Sequence, residues 1–441
     1  MKQKWVILSL ITGLIMLTGV LLYDAYRTMS ARTNQSLDLT DQMSYTPSKL
    51  AKDDREETEE TEETEETNTK GAVKEVLSVP EDVNVVIFGD ILLHENVLAN
   101  ANRNVGGTGA REDWGKGFDI KPMFQNVSQE IREADLAMVT QASLLGANGA
   151  EATLSGYPKF NGPVSVIDDL KDLGFDAVNC ATNHALDLGV TGWENSAEAW
   201  REKGIHAIGF TDKNEASDAP DNRIVECGGF RIALLSFVST TNVKTTSSAE
   251  ISVPYFTVND TAIRRKLLED EVASCRNAAD AVIVFVNFGS DAGYEPTALE
   301  QDTIRILAEA GVDVIIGNGT KVLQPVQWIT RTNGKKTLCA YSLGNSLCTM
   351  QYIENLLGGY LRFTLAKKGG EVEIKDVIFE PTIVVYDDKI DNLHLNRLSG
   401  FSEENFLDHG SNILYGRGEY AWLAAMVKKQ ADPSFLPASF R

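Results

Sequence analysis

The stretch Gly174–Gly189, GFDAVNCATNHALDLG, decides the fold. Its first part, Phe175 to Asn179, reads as a short apolar strand. It then breaks into the polar loop Ala181-Thr182-Asn183-His184, with Asp187 and Gly189 following. An apolar strand that ends in Asn, His and Asp places polar groups at the carboxyl edge of a sheet, where open α/β folds keep their sites. A lone histidine there is ordinarily a satisfied structural residue. Asn183-His184 at one strand end, with Gly89-Asp90 at another, points instead to a site.

Working outward, the flanking segments alternate. Val83 to Phe88 is a mostly apolar, β-branched run ending in Gly89-Asp90, which suits a central strand buried on both faces. Met123, Val127 and Ile131 recur at helical spacing before a second strand, Leu136 to Val139. Val164 to Leu173 predicts an amphipathic helix feeding the strand at Phe175. Trp193, Ala197 and Trp200 predict the helix that follows the loop, stopped by Gly204. This β, α, β, α, β, α order predicts an α/β sheet with helices on both faces.

Beyond it, Arg223 to Cys227 and Phe230 to Phe237 flank Gly228-Gly229, a hairpin signal. Lys244 to Asp260 reads as a long polar loop. The alternation returns with a strand at Ala281 to Val286, a helix near Leu299 to Ala310 closed by Gly311, and a strand at Val312 to Ile316. Val326 to Thr330 and Thr337 to Tyr341 flank Asn333-Gly334, a tight-turn pair. Tyr360 to Leu365 and Glu373 to Tyr386 add strands, and the last fifty or so residues give no readable element.

Composition narrows the function. The chain has 441 residues, 43% of them hydrophobic, which is enough for a sizeable core. Its formal net charge of −22 argues against nucleic acid, because phosphate binding needs clustered Lys and Arg. Cys180, Cys227, Cys275, Cys339 and Cys348 are scattered without CxxC spacing, so neither a disulfide framework nor a zinc site is expected. Lys2 and Lys4 precede an uncharged run, Trp5 to Tyr23, long enough to cross a bilayer core of about 30 Å as a helix. That run exceeds the usual core of a cleaved signal, and no small-x-small cleavage site follows it. The expectation is an uncleaved anchor in the cytoplasmic membrane, with a cytoplasmic N-terminus and the rest of the chain outside. Glu56 to Thr67 repeats Glu-Glu-Thr, a like-charged tract that reads as a solvated, disordered spacer. The domain plan is therefore an anchor over 1–27, an acidic linker over 28–80, a folded domain over 81–390, and an extension over 391–441.

In order and spacing, the segments resemble the CapA family of bacterial surface proteins of poly-γ-glutamate and capsule synthesis, over roughly Val83 to Tyr386. The residues that carry the resemblance are Gly89-Asp90 with His94, Asn183-His184-Ala185 with Asp187 and Gly189, and Gly204-Ile205 leading to Gly209. Pro296 with Gln301, Gly311 to Gly317, Leu323-Gln324-Pro325 and Tyr341-Ser342-Leu343-Gly344-Asn345 complete the set. The resemblance implies a metallophosphatase-like α/β sandwich. The departures from the family pattern are as informative. Its Asn-x-Glu is Thr140-Gln141-Ala142 here, its His-Trp-Gly is Asn287-Phe288-Gly289, and its Gly-His-His-Pro-His loop is Gly317-Asn318-Gly319-Thr320-Lys321. Of the metal-ligand positions the resemblance implies, Asp90, Asn183 and His184 persist, with His94 as an extra candidate.

A two-metal hydrolytic centre needs several carboxylate and imidazole donors converging on two cations. Ala142 donates nothing, and Lys321 is an ammonium with no lone pair. The leading expectation is an anchored, extracytoplasmic protein of surface-polymer synthesis or export that keeps the fold without the full metal site. It would hold at most one weakly bound divalent metal, and its partners would be the membrane and the polymer or its synthesis machinery. Another reading keeps a working metal-dependent hydrolase or transferase, using Asp90, Asn183 and His184 with Asn287 and Asn318. A third is a structural wall spacer. In the implied fold the Gly317 to Lys321 loop aims at Asp90, so Lys321 is expected as its counter-charge.

Overall fold

Val83 to Phe88 lies inside a longer strand, β1 (Asp82–Ile91), which runs on through Gly89 and Asp90 rather than ending before them. The computed structural model describes residues 82–147, 154–210, 223–243, 253–256, 261–289, 293–416 and 419–440. The expected anchor and the acidic linker lie outside these residues, as does most of the expected Lys244 to Asp260 loop. Among the described residues no helix is long and apolar enough to cross a membrane.

Helix α1 (Glu95–Asn104) follows β1. The Met123, Val127, Ile131 spacing does not form one helix. A 3-10 turn, Lys121–Phe124, is followed by the short α2 (Ser128–Glu133). Pro122 sits at the start of that turn, where its missing N–H costs no hydrogen bond. Next come β2 (Leu136–Gln141), the small parallel pair β3 (Leu144–Leu145) and β4 (Asn161–Gly162), and α3 (Ser165–Leu173), closed by left-handed Gly174. Strand β5 (Ala177–Asn179) is shorter than expected, and α4 (Gly189–Lys203) stops at Gly204 before β6 (His206–Ile208).

The second half begins with the hairpin β7 (Ile224–Cys227) and β8 (Phe230–Val238), turned by Gly228-Gly229. Helix α5 (Thr261–Arg276), which the sequence reading left unrecognised, leads to β9 (Ala281–Asn287). Helix α6 (Ala298–Glu309) opens with a Thr297–Glu300 capping box and precedes β10 (Val314–Asn318). Strands β11 (Leu323–Thr330) and β12 (Lys336–Leu343) form the expected hairpin around Asn333-Gly334. Then follow β13 (Asn345–Leu347), α7 (Ile353–Leu356), and the long antiparallel pair β14 (Leu357–Lys368) and β15 (Glu371–Val385).

Residues 391–441, set apart in the sequence reading as an extension, contribute β16 (His394–Arg397) to the edge of the sheet beside β15. They also form α8 (Glu403–Leu407), α9 (Gly410–Tyr415) and α10 (Tyr420–Gln430). Just past α10, Ala431 bridges to Val326 of β11.

Among the described residues, two mixed sheets carry the architecture. One runs β16-β15-β14-β1-β2-β5-β6 and the other β11-β12-β10-β9-β8-β7. The parity of the second sheet shows how they meet. Ile232 and Leu234 of β8, Ile283 and Phe285 of β9, and Val314 and Ile316 of β10 share one core with β1, β2 and β5. Their neighbours Ala233, Leu235, Val284 and Ile315 join α5 and α6 in a separate core through Leu268, Val272, Ile304 and Leu307. Successive strand residues face opposite ways, so each strand serves the inter-sheet core and the helix layer at once. The sheet with helices on both faces, expected from the alternation, is therefore corrected to two facing sheets, in keeping with the α/β sandwich that the resemblance implies. A β-branched run buried on both faces looks the same whether a helix or a second sheet covers it.

At Gly89 the strand β1 changes neighbours. Asp82 to Phe88 pair antiparallel with β14, whereas Asp90 and Ile91 pair parallel with Asn345 and Leu347 of β13. A Cβ on Gly89 would lie 2.3 Å from the Gly344 carbonyl oxygen, so only glycine lets the backbones cross this closely.

Candidate functional site

The strand parities that build the inter-sheet core also place polar residues at its carboxyl end. Asp90 is the penultimate residue of β1, Thr140 that of β2, and Asn179 ends β5. Asn287 and Asn318 end the adjacent strands β9 and β10, where they pair in register. All are buried. Burial obliges such groups to satisfy one another, and they form a chain. The Asn287 amide donates to Asn318 Oδ1 at 2.5 Å, and Asn287 Oδ1 accepts from the Asn183 N–H at 3.1 Å. Asn318 Nδ2 and Asn179 Nδ2 both reach Thr140 Oγ1, at 3.5 and 3.2 Å, and Ser236 Oγ donates to Asn179 Oδ1 at 2.6 Å.

The loop after β5 is held from several sides. His184 Nδ1 lies 2.8 Å from Asp187 Oδ2, which also accepts from the Phe160 N–H at 2.8 Å. Asn183 Nδ2 donates to Asn242 Oδ1 at 3.2 Å, and the Asn242 N–H donates to the Asn183 carbonyl at 2.7 Å. Thr182 Oγ1 donates to the carbonyl of Ala142 at 2.9 Å.

The loop after β10 turns inward over Asp90. Gly319, at φ 91, donates its N–H to Asp90 Oδ2 at 3.3 Å. Lys321 sits in the left-handed region at φ 62, and its carbonyl accepts from Asn345 Nδ2 at 3.3 Å and Asn355 Nδ2 at 2.9 Å. A lysine in that conformation carries about 1–3 kcal/mol of strain, and such strain persists where neighbours over-determine it. The result is the expected pair, with Lys321 Nζ 3.5 Å from Asp90 Oδ2. Burial pushes the Asp90 carboxyl upward, opposed by the Lys321 ammonium and the Gly319 N–H. Asp90 Oδ1, Asn183 Oδ1 and Lys321 Nζ have no hydrogen-bond partner among the described residues.

His94 is partly buried beyond β1. Its Nδ1 accepts from the Thr349 N–H at 3.3 Å, and its ring meets Phe160 edge-on, 5.3 Å between centroids. Phe160 in turn stands edge-on to His184 at 4.7 Å. Burial, then the Lys321 and His184 charges, push His94 down to about 4. The residues named from sequence thus surround one polar centre. Asn242, Ser236 and Asn355 were missed. Asn242 lies in a loop and Ser236 inside an apolar strand, so neither carries a local signal. Among the described residues no group of three His, Cys, Asp or Glu side chains gathers as a metal cluster.

Two facing mixed sheets, with a buried polar centre at their carboxyl ends, define a layered α/β protein with its site between the sheets. The chain belongs to the family of the bacterial capsule synthesis protein PGA_cap, whose family model matches residues 84–350. It is 26% identical over 210 residues to the PGA biosynthesis protein CapA of Bacillus subtilis (strain 168), covering 47% of this chain and 52% of that protein. It is 24% identical over 267 residues to the capsule biosynthesis protein CapA of Bacillus anthracis, covering 60% and 59%. The matches span little more than half the length of these relatives. Among solved structures, it is similar at 11% identity to the calcineurin-like phosphoesterase YfkN from Bacillus subtilis (TM-score 0.37, covering 79% of this chain and 96% of that one). At 15% identity it is similar to a hypothetical protein from Thermus thermophilus (TM-score 0.36, covering 68% and 100%).

Proposed function

We propose that this chain is a membrane-anchored, extracytoplasmic protein of the synthesis or export of a capsule-type or poly-γ-glutamate-type surface polymer, and that its inter-sheet site binds without hydrolysing. Family membership supports the polymer. The uncharged run Trp5 to Tyr23 behind Lys2 and Lys4 supports the anchor and the outside location.

The observation that carries the binding role is the ammonium of Lys321 beside Asp90. The family resemblance of the sequence implies a pair of divalent metals, and the side chains here do not fit such a pair. Asp90 is the carboxylate that faces the loop of Lys321, Asp187 is turned to His184 and the Phe160 N–H, and Asn287 and Asn318 are neutral amides bound to each other. Lys321 offers protons and no lone pair. At about 4 Å and an effective dielectric near 20, its repulsion of a dication is roughly 8 kcal/mol.

The test is deletion of the gene followed by complementation. Surface polymer should fall in the deletion strain, return with the full chain, and stay low with a chain lacking residues 1–27. The purified chain should show no metal-stimulated phosphoester cleavage. Unchanged polymer on deletion would remove this reading, and metal-dependent turnover lost in Asp90→Ala would replace it with a hydrolase.

A further inference from the structure

The turn that joins β15 to β16 is held in a conformation that side chains avoid. Ile390 and Asn392 both sit in the left-handed region, at φ 59 and 56, and a β-branched residue there is strained. Neighbours over-determine the turn. Asp387 Oδ1 accepts from the N–H groups of Lys389 and Asp391, each at 2.9 Å. The Asn100 side chain holds both the Ile390 carbonyl and the Leu393 N–H. This turn forms one wall of a cavity of about 320 Å³, completed by β16 and by residues 400–409. A second hollow of about 180 Å³ adjoins it and shares Asn396 and Gly400. Apart from Asn126, every lining residue follows residue 350, where the family match ends.

The polar wall is one hydrogen-bonded row across both hollows. Asn126 Nδ2 donates to Asn396 Oδ1, and Asn396 Nδ2 donates to His394 Nε2 at 3.3 Å. His394 Nδ1 then donates to the Asn392 carbonyl at 2.6 Å, and Asn392 Nδ2 to Asp387 Oδ2 at 2.6 Å. The side chains are thereby oriented before a ligand arrives. A primary amide has two N–H donors and two lone pairs, so Asn392 and Asn396 keep both kinds of capacity beyond these bonds. The base of the cavity is aromatic. Tyr386, Phe401 and His409 are buried there, with ring centroids 5.0 Å apart for Tyr386 and His409 and 6.1 Å for Phe401 and His409. Charge narrows the ligand. The larger cavity is lined by Asp387 and Asp408 and by no Lys or Arg, and Arg397 in the smaller one is paired with Glu130. An anionic chain is repelled, and three donors already hold the Asp387 carboxylate. Groups that both donate and accept, set beside aromatic rings, match hydroxyls carried on an apolar C–H face.

We infer that this paired cavity binds an uncharged saccharide of about two sugar units, with its hydroxyls met by Asn392, Asn396 and Asp408 and a ring face laid against Phe401. The cavity shares no lining residue with the inter-sheet centre, and the inference does not rest on the reading of that centre.

The experiment is saturation-transfer NMR with calorimetry on the purified full-length chain. The probes are cellobiose, maltose, lactose and N,N′-diacetylchitobiose, with γ-glutamylglutamate and putrescine as the anionic and cationic comparisons. At least one disaccharide should bind the wild type, and Asn396→Ala and Asp408→Ala should each weaken it about tenfold or more. Asp408 is exposed, so its variant keeps the fold should Asn396→Ala lose it. The inference is overturned if no disaccharide binds, if a folded variant binds as tightly as wild type, or if only γ-glutamylglutamate or putrescine binds.

Discussion

The side-chain amide of Asn287 donates to Asn318 Oδ1 at 2.5 Å, while its own oxygen accepts the Asn183 N–H at 3.1 Å. One fully buried residue of the second sheet thus ties a neighbouring strand end to the loop that leaves the first sheet. Two neighbouring strands of that sheet thus end in amides that bond to each other.

Removing that amide strands a donor and an acceptor. Asn287→Ala should cost roughly 2–4 kcal/mol, because each buried group left unpaired costs about 1–3 kcal/mol. Chemical denaturation measures the loss. Hydrogen exchange should quicken at Asn183, whose N–H the amide holds. A variant within about 0.5 kcal/mol of wild type, with unchanged exchange, would show that this bond does not hold the sheets together.

The Lys321–Asp90 pair should behave as a buried ion pair. Lys321→Ala leaves the carboxylate alone and should cost roughly 3–5 kcal/mol at neutral pH, and Lys321→Met should cost less. Burial already raises the Asp90 carboxyl, and without the ammonium only the Gly319 N–H and the His184 ring oppose that rise. The penalty of a lone buried carboxylate exists above the folded pKa and is relieved as pH falls through it. The deficit of both variants should therefore shrink toward acid pH. A deficit independent of pH would disprove the pairing.

His94 predicts an acid limb of its own. In the fold its imidazole is pushed down to about 4 from 6.5. Between those values the unfolded chain holds a proton that the folded chain lacks. Stability is therefore complete above about pH 6.5 and declines as pH falls toward 4, by roughly 3 kcal/mol. Denaturation across that range should show a shallower decline in His94→Gln. Equal slopes would place the proton elsewhere.

Much of the fold was legible because its strands are buried on both faces. Val83 to Phe88 and Ala281 to Val286 are mostly apolar runs rich in β-branched residues, and Asn333-Gly334 and Gly228-Gly229 turn as their local chemistry demands. The second sheet was not legible. When Ile283 faces one core and Val284 another, both positions are apolar and no alternation reports which layer each meets. Helix α5 hid for a different reason, since its inner face includes Arg264, paired with Asp302 from α6. The C-terminal helices bury few residues, such as Leu423 and Val427, and depend on the surface they cover. At the site, strand ends announced Asp90 and Asn183, whereas Asn287 and Asn318 were named only through the family resemblance. Asn242 is placed by tertiary structure alone.

The exchange of neighbours at Gly89 has a consequence for how such a site changes over time. A strand whose one side passes from an antiparallel partner to a parallel one within a single residue cannot slide: a shift of two positions would break both ladders at once. The address of Asp90 is therefore written in main-chain hydrogen bonds, independent of what surrounds its carboxylate. Lys321, Asn287 and Asn318 are supplied by other strands and loops, so this carboxylate can outlast a complete rewriting of its company.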